Sequence, residues 1–408
     1  MRIVILGWVE FPYGSPSASR LRILSKGWIE QGATVHLVTT AKLQPVNTGI
    51  GEDFYMEGLT YESSYEEAQL DHSSFSKLSL VRHFKSLKRS WKIVRQLIDD
   101  NKCDVLYLWA WSATGCFPVV KMAQKKGIPY FFDICEWFTP DVFKWGLVNP
   151  MYYDDLLGRY LPGKTCSGVI AITHFIAHKY QKMNIPVIVV PAINDFKKEV
   201  IGTNGPDIQI SNTSYNVLYA GFCKPGDGIE FLIQAIRLVK LNNIPVKLII
   251  IGADGKSGAS IKYKNICELD DKLRDIVEFR GKVPEKEYFR TLSSATVLVL
   301  PRKNTPTNEA AFPTRLPEYL TTGRPVLTTN IKDVSMYLEN DVNAKIVESD
   351  SEHSLADGLI DLWQNPSKAN EIGRAGKLRG AEVFDYRSYT KEIYKLFSRS
   401  LIDRKTKF

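Results

Sequence analysis

Apolar residues fall along this chain in short unbroken runs separated by longer amphipathic stretches. "RIVILGW" opens the chain as a buried strand. A Gly/Pro/Ser loop, "FPYGSPSAS", leads to the helix "RLRILSKGWIEQG" and then to the strand "TVHLVTT". That is a βαβ unit, whose crossover is right-handed. "DVLYLWA", "PYFFDIC", "GVIAIT" and "PVIVVP" follow, with helical stretches between them. After a polar, Gly/Asn/Ser-rich stretch the alternation restarts with "YNVLYAGF", "VKLIIIG", "VEFRG", "VLVLP" and "AKIVE". Strands that are apolar at every position are buried on both faces. Alternating with helices, they predict an α/β chain with two doubly wound parallel sheets. The expected division is 1–192, a linker at 193–212, and 213–386.

The length of 408 residues fits two domains rather than one core. Apolar and charged contents of 44% and 24% are those of a globular enzyme. No apolar run reaches the roughly 18–20 residues of a membrane span. The start lacks a small-residue cleavage site and does not read as a signal peptide. The six cysteines are scattered with no Cys-x-x-Cys pair, which argues against zinc and disulfides and fits a reducing cytoplasm. The net charge of +8 is concentrated at 81–95, "VRHFKSLKRSWKIVR", which has six cations and no acid. Phe84, Leu87, Trp91 and Val94 recur there at helical spacing, so it reads as a basic amphipathic helix. It either rests on its own domain with a solvated face or makes peripheral contact with an anionic membrane. No nucleic-acid motif accompanies it.

The densest chemistry lies in "VLVLPRKNTPTNEAAFPTRLPEYLTTGRPVLTTN", residues 297–330. A strand, a polar loop, a short helix, a glycine stop and a second strand are expected. Thr314 is a plausible N-cap, Pro317 falls in the first turn, and Gly323 ends the helix. The amides of Thr314, Arg315 and Leu316 would point outward toward phosphate, with Arg315 adding a full charge. Glu318 is a carboxylate suited to a sugar diol. The same segment also suits a plain strand–helix–strand packing unit.

The run Pro313, Thr314, Arg315, Leu316, Glu318, Tyr319, Leu320, Gly323, Arg324, Pro325, Val326 resembles the donor-binding segment of GT-B glycosyltransferases, specifically the large retaining family 4 (GT4). The resemblance implies two Rossmann-like domains facing across a cleft. The first would hold an acceptor and the second a nucleotide sugar, with a final helix, 387–408, returning to the first domain. It implies that Glu318 binds the ribose. A further Glu eight positions earlier is usual in the family. Ala310 occupies that position here and Glu309 precedes it, so either the loop is shifted by one residue or that acid is lost. In the family's Gly-Arg…Lys-Gly loop, Gly221 is kept. Phe222 replaces the Arg, and Asp227 fills the Lys slot, leaving Lys224 as the loop's cation. Arg302 and Arg315 are possible substitutes at the phosphates. Cys135 stands where members often carry His, flanked by Asp133 and Glu136, either of which would bind acceptor hydroxyls or move a proton. Gly14, Ser15 and Ser17 resemble the family's glycine-containing loop near donor and acceptor. An ordinary βα turn is equally consistent with them.

The implied activity is transfer of a hexosyl group from a UDP- or GDP-linked sugar to a glycan or lipid-linked hydroxyl in surface polysaccharide biosynthesis. No cofactor, metal or nucleic acid is expected. Two rivals stay open. One is a sugar-nucleotide epimerase of the same fold, with His174 and His178 as its mid-chain histidines. The other is a non-catalytic binding protein with an eroded site, for which Phe222, Ala310 and Cys135 speak. Trp8, Trp109, Trp111, Trp137 and Trp145 crowd the first half and suit either sugar stacking or core filling.

Overall fold

A computed structural model describes residues 1–13, 15–43, 56–65, 77–109, 112–163, 165–197, 214–256 and 258–405. It divides into two compact units. The first comprises Met1–Ile193 with Tyr386–Phe408, and the second Asn194–Asp385. Most of the expected linker lies outside the described residues, as do Gly14 and Trp111.

In the first unit the strands are β1 (Arg2–Gly7), β2 (Thr34–Thr39), β3 (Leu59–Ser63), β4 (Val105–Trp109), β5 (Tyr130–Ile134), β6 (Gly168–Ala171) and β7 (Val187–Val189). Among the described residues they form one parallel sheet, ordered β3-β2-β1-β4-β5-β6-β7. Helices α1 (Pro16–Ile29), α2 (Lys77–Asp99), α3 (Ala113–Lys125), α4 (Pro150–Gly158) and α5 (His174–Gln181) connect the strands. The second unit has β8 (Tyr215–Ala220), β9 (Val246–Ile251), β10 (Val277–Gly281), β11 (Val297–Leu300), β12 (Val326–Thr329) and β13 (Lys345–Val347). Its parallel order is β10-β9-β8-β11-β12-β13. Around it lie α6 (Ile229–Leu241), α7 (Ser260–Leu269), α8 (Glu285–Ser293), α9 (Pro306–Ala310), α10 (Arg315–Thr321), α11 (Lys332–Ser335), α12 (Glu352–Gln364) and α13 (Pro366–Val383). The chain then returns to the first unit as α14 (Tyr386–Lys405).

Every apolar run read as a strand is one. The exception is β3, which the pattern does not reveal. "LTYES" is an edge strand whose residues are mostly half exposed, so its composition is mixed. The first helix also begins earlier than expected. Pro16 to Ser19, read as loop, form its first turn, with Pro at the N1 position where no amide hydrogen is needed.

Both cores are apolar layers between sheet and helices. In the first unit, Phe397 of α14 packs on Trp28 and Phe131, with ring centroids 5.4 and 4.6 Å apart. Gly27 lets α14 lie this close to α1, because a Cβ there would sit 2.3 Å from the Thr390 hydroxyl. The basic stretch 81–95 is part of α2. Leu87 and Val94 are buried, and the Trp91 ring N–H donates to the Gly115 carbonyl at 2.9 Å, so that side packs within the unit. Phe84, expected on the packed face, is instead largely exposed. No helix among the described residues is long and apolar enough to cross a membrane.

Candidate functional site

The residues singled out in the second unit gather where β8 and β11 end. A parallel sheet carries its helix N-termini and loops along the carboxyl edge of the strands, where ligands of open α/β sheets bind. The loop after β8 runs from Gly221 to Gly228. Gly221 is obligatory, since a Cβ there would lie 2.0 Å from the Tyr219 phenol oxygen. Asp227 organises this loop. One carboxylate oxygen accepts from the Tyr219 hydroxyl at 2.7 Å and from the Lys224 amide at 2.8 Å. The acid in the family's lysine slot is therefore a loop brace. The Lys224 side chain is exposed and makes no ion pair among the described residues, and Phe222 is exposed beside it.

Gly228 closes the loop at φ +70, and a Cβ on it would stand 1.8 Å from the Pro301 carbonyl oxygen. The start of α6 thus touches the end of β11 through a bare backbone. Gly228→Ala is expected to destabilise the protein by roughly 2–5 kcal/mol, the combined cost of a left-handed alanine and a steric overlap. Denaturant unfolding measures this directly, and a change below 1 kcal/mol, roughly the noise of such comparisons, would refute the packing described.

The second loop, after β11, is not the plain polar connection expected. Its residues Pro306–Ala310 form the short helix α9, capped by Thr305, whose hydroxyl accepts from the Asn308 amide at 3.2 Å. Asn308 is buried and uses its whole amide. It donates to the Gly226 carbonyl at 2.8 Å and the Lys303 carbonyl at 2.9 Å, and accepts from Arg302 at 2.6 Å. Arg302 also donates to the Ala311 carbonyl at 2.8 Å. Burial lowers its pKa, a shift opposed by Asp227 and Tyr219. Its guanidinium is engaged within its own loop, holding Asn308, whose amide bridges to the loop after β8, rather than standing free for phosphate. Ala310 is fully buried, so the position that carries an acid in the family faces the interior here. Glu309 is half exposed, and its carboxylate has no hydrogen-bond partner among the described residues.

Helix α10 differs from expectation in its cap. Thr314 already has helical angles (φ −61, ψ −23) and its side chain makes no capping bond. The Leu316 amide donates to the Pro313 carbonyl at 3.0 Å, so it is not free to meet phosphate, and Leu316 and Pro313 are themselves buried. What the helix does present is Arg315 and Glu318. Burial disfavours the Arg315 charge, but the phenols of Tyr288, Tyr319 and Tyr219 and the Glu318 carboxylate outweigh it, and its pKa is raised. The cation is held charged in a half-buried setting. Glu318 accepts from the Tyr288 hydroxyl at 2.7 Å. Burial, then Glu318, pushes the Tyr288 pKa well up, so this phenol keeps its proton and stays a donor. Tyr319 accepts the Ala220 amide at 2.7 Å and ties α10 to the end of β8. Gly323 ends the helix at φ +71, and its amide returns to Leu320 at 3.2 Å.

Tyr288, Asn308 and Tyr219 were not legible as site residues. Their partners lie 30, 82 and 8 positions away. Tyrosine among the acids and bases of "EKEYFR" is the one sequence feature that marks Tyr288.

In the first unit, Asp133 is not available to an acceptor. It is buried, and its two oxygens receive the Arg20 guanidinium at 3.1 and 3.2 Å and the Tyr107 hydroxyl at 2.6 Å. Cys135 donates to it at 3.2 Å. Burial raises the Cys135 pKa well above that of a free thiol, which excludes a ready thiolate. Glu136 is exposed at the strand end. The Ser15 hydroxyl caps α1 by accepting the Ala18 amide at 3.1 Å, an ordinary βα-turn role. Trp28, not one of the five tryptophans noted above, is fully buried in the first unit's core, and Trp109 packs against that core. Trp8 and Trp145 are exposed, and Trp137 lies under the Arg159 guanidinium at 4.6 Å.

Residues 214–365 match the family model described as glycosyl transferases group 1. The match covers less than half of the chain and falls within the second unit. The matched segment contains Lys224, Glu309, Arg315 and Glu318 together. Over the whole chain, solved structures share the architecture at low identity. Sucrose-phosphate synthase from Thermosynechococcus elongatus is 15% identical with a TM-score of 0.73, over 98% of this chain and 99% of that one. HepE from Anabaena, solved with UDP-glucose, is 13% identical with a TM-score of 0.68, over 97% and 99%. TarM from S. aureus, solved with Fondaparinux, alpha-GlcNAc-glycerol and UDP, is 12% identical with a TM-score of 0.67, over 97% and 100%. At these identities the likeness shows the fold, which is GT-B. No curated protein is significantly similar in sequence. Among the described residues no cluster of His, Cys, Asp and Glu is suited to a metal.

Proposed function

We propose that this protein is a retaining glycosyltransferase that moves a hexosyl group from a nucleoside diphosphate sugar, UDP-linked by preference, to a hydroxyl of a glycan or glycolipid. Surface polysaccharide assembly is the setting in which such a product would be used. The observation that carries the reading is the pair on α10. Arg315 brings a fixed positive charge to a half-buried position, and Glu318, three residues on, is oriented by Tyr288, all within the segment that matches the group 1 family model. UDP is favoured over GDP because HepE and TarM were both solved with uridine nucleotides.

In the reaction the acceptor oxygen bonds to the anomeric carbon while the bond from that carbon to the β-phosphate oxygen breaks. The acceptor proton leaves with the nucleoside diphosphate. The second unit would contribute charge where the diphosphate departs, through Arg315 and the unpaired Lys224. Glu318 would accept from the ribose hydroxyls, and Glu309 is the remaining acid for the hydroxyls of the sugar. Glu136 is the first unit's candidate for the acceptor.

Incubation with UDP-hexoses, with and without a mixture of glycan and lipid-linked acceptors, tests this. Release of UDP that depends on acceptor is expected. Release without acceptor, accompanied by an isomerised free sugar, would instead identify an epimerase. The eroded-site reading keeps one supporting observation, the exposed Phe222 where the family has a phosphate-binding arginine. It predicts binding with no turnover.

A further inference from the structure

Helix α4 is built inside out. Asp154 points inward, where one oxygen accepts from the Thr114 amide at 2.8 Å and its hydroxyl at 2.6 Å. Asp155 is paired with Arg159, and Gly158 lies against the backbone of Ser112 and Ala113. The apolar residues point out. Tyr153, Leu157 and Tyr160 recur at i, i+4 and i+7, and the last two are 61% and 64% exposed. The preceding segment behaves the same way, with Trp145 65%, Leu147 61% and Val148 82% exposed. Trp145 is held there at φ +71, an uncommon angle for a bulky residue. So many large exposed apolar groups in one 20-residue stretch exceed the scattered hydrophobes of an ordinary surface.

The neighbouring helices state what covers it. Helix α3 lies beside α4 through Thr114 and Asp154, and α2 lies beside α3 through Trp91 and Gly115. Phe84 of α2 and Phe117 of α3 are also exposed. Around these rings stand cations. Lys121 sits 5.5 Å from the Phe117 ring centroid and Lys144 5.2 Å from that of Trp145. On α2, Lys85, Lys88 and Lys92 are exposed and make no ion pair among the described residues. Apolar anchors interleaved with unpaired lysines match a bilayer interface, where rings settle at headgroup depth and lysines reach the phosphates. Neither signal alone gives stable attachment, and together they do.

We infer that the α2–α3–α4 face of the first unit docks onto an anionic lipid bilayer. This surface is independent of the donor site and of the transferase reading. The full chain should sediment with vesicles of phosphatidylcholine mixed with phosphatidylglycerol, and not with phosphatidylcholine alone. The variant Lys85→Glu/Lys88→Glu/Lys92→Glu should partition about a hundredfold more weakly, at roughly fivefold for each cation lost. Trp145→Ser/Leu157→Ser should sediment with the anionic vesicles far less than the wild type at low salt, although its lysines are intact. All five positions are exposed, so both variants should keep the wild-type melting temperature. Failure to sediment with anionic vesicles would overturn the inference. So would concentration-dependent dimerisation that Leu157→Ser abolishes, since the patch would then be covered by a second copy of the chain. Capture of a protein partner through the same residues without vesicle binding would overturn it equally.

Discussion

Asp133→Ala is expected to destabilise the first unit by about 3–5 kcal/mol, because it strands the Arg20 guanidinium in the interior. The pair is buried at the junction of α1, β4 and β5, with Tyr107 and the Pro191 carbonyl completing it. Removing one charge leaves the other with its desolvation cost and no partner. A guanidinium keeps its proton at any working pH, so Arg20 cannot shed its charge to escape once Asp133 is gone. At about 2–4 °C per kcal/mol for a unit of this size, melting should fall by roughly 6–20 °C. The double variant Arg20→Met/Asp133→Leu should recover most of that loss, since it removes both charges and keeps the volume. A melting temperature unchanged in Asp133→Ala would return Asp133 to the list of acceptor-binding acids.

Arg315→Ala should weaken binding of UDP by about a hundredfold, the loss of roughly 2–3 kcal/mol from a charge-assisted contact to phosphate. Arg315→Lys should recover only part of this, because a lysine keeps the charge and loses the planar fork. Equilibrium dialysis with labelled UDP measures both. Lys224→Ala should cost less, since that side chain is exposed and screened by solvent. A larger loss at Lys224 than at Arg315 would place the diphosphate on the loop after β8 rather than on α10.

The central strands were legible because parallel strands with helices on both faces are apolar throughout; the mixed edge strand "VEFRG" was still read, and "LTYES", at the other sheet's edge, was missed. Gly323 and Pro317 could be placed because helix ends obey local rules. The site was harder, because its chemistry depends on partners distant in sequence. Asp133 at the end of a strand looks like a working acid until Arg20, 113 residues away, is seen holding it. Arg302 sits in the right loop for phosphate, yet Asn308 and Ala311 occupy it. Thr314 has the residue type of a cap and the backbone of a helix interior. Asp227 departs from the family pattern in a way that is locally compensated, since its carboxylate holds the Lys224 amide and the Tyr219 hydroxyl. The exposed face of α4 escaped notice because apolar spacing marks a helix face without saying whether that face turns in or out.

The most direct test of the central claim is calorimetric titration of the whole protein with UDP, GDP, ADP, TDP and CMP, beside Glu318→Ala. The account predicts that one diphosphate, UDP, is selected, that CMP is rejected, and that Glu318→Ala weakens the selected ligand without lowering the melting temperature. Failure of every diphosphate to bind the wild-type protein would contradict the assignment of α10 as a nucleotide-sugar site.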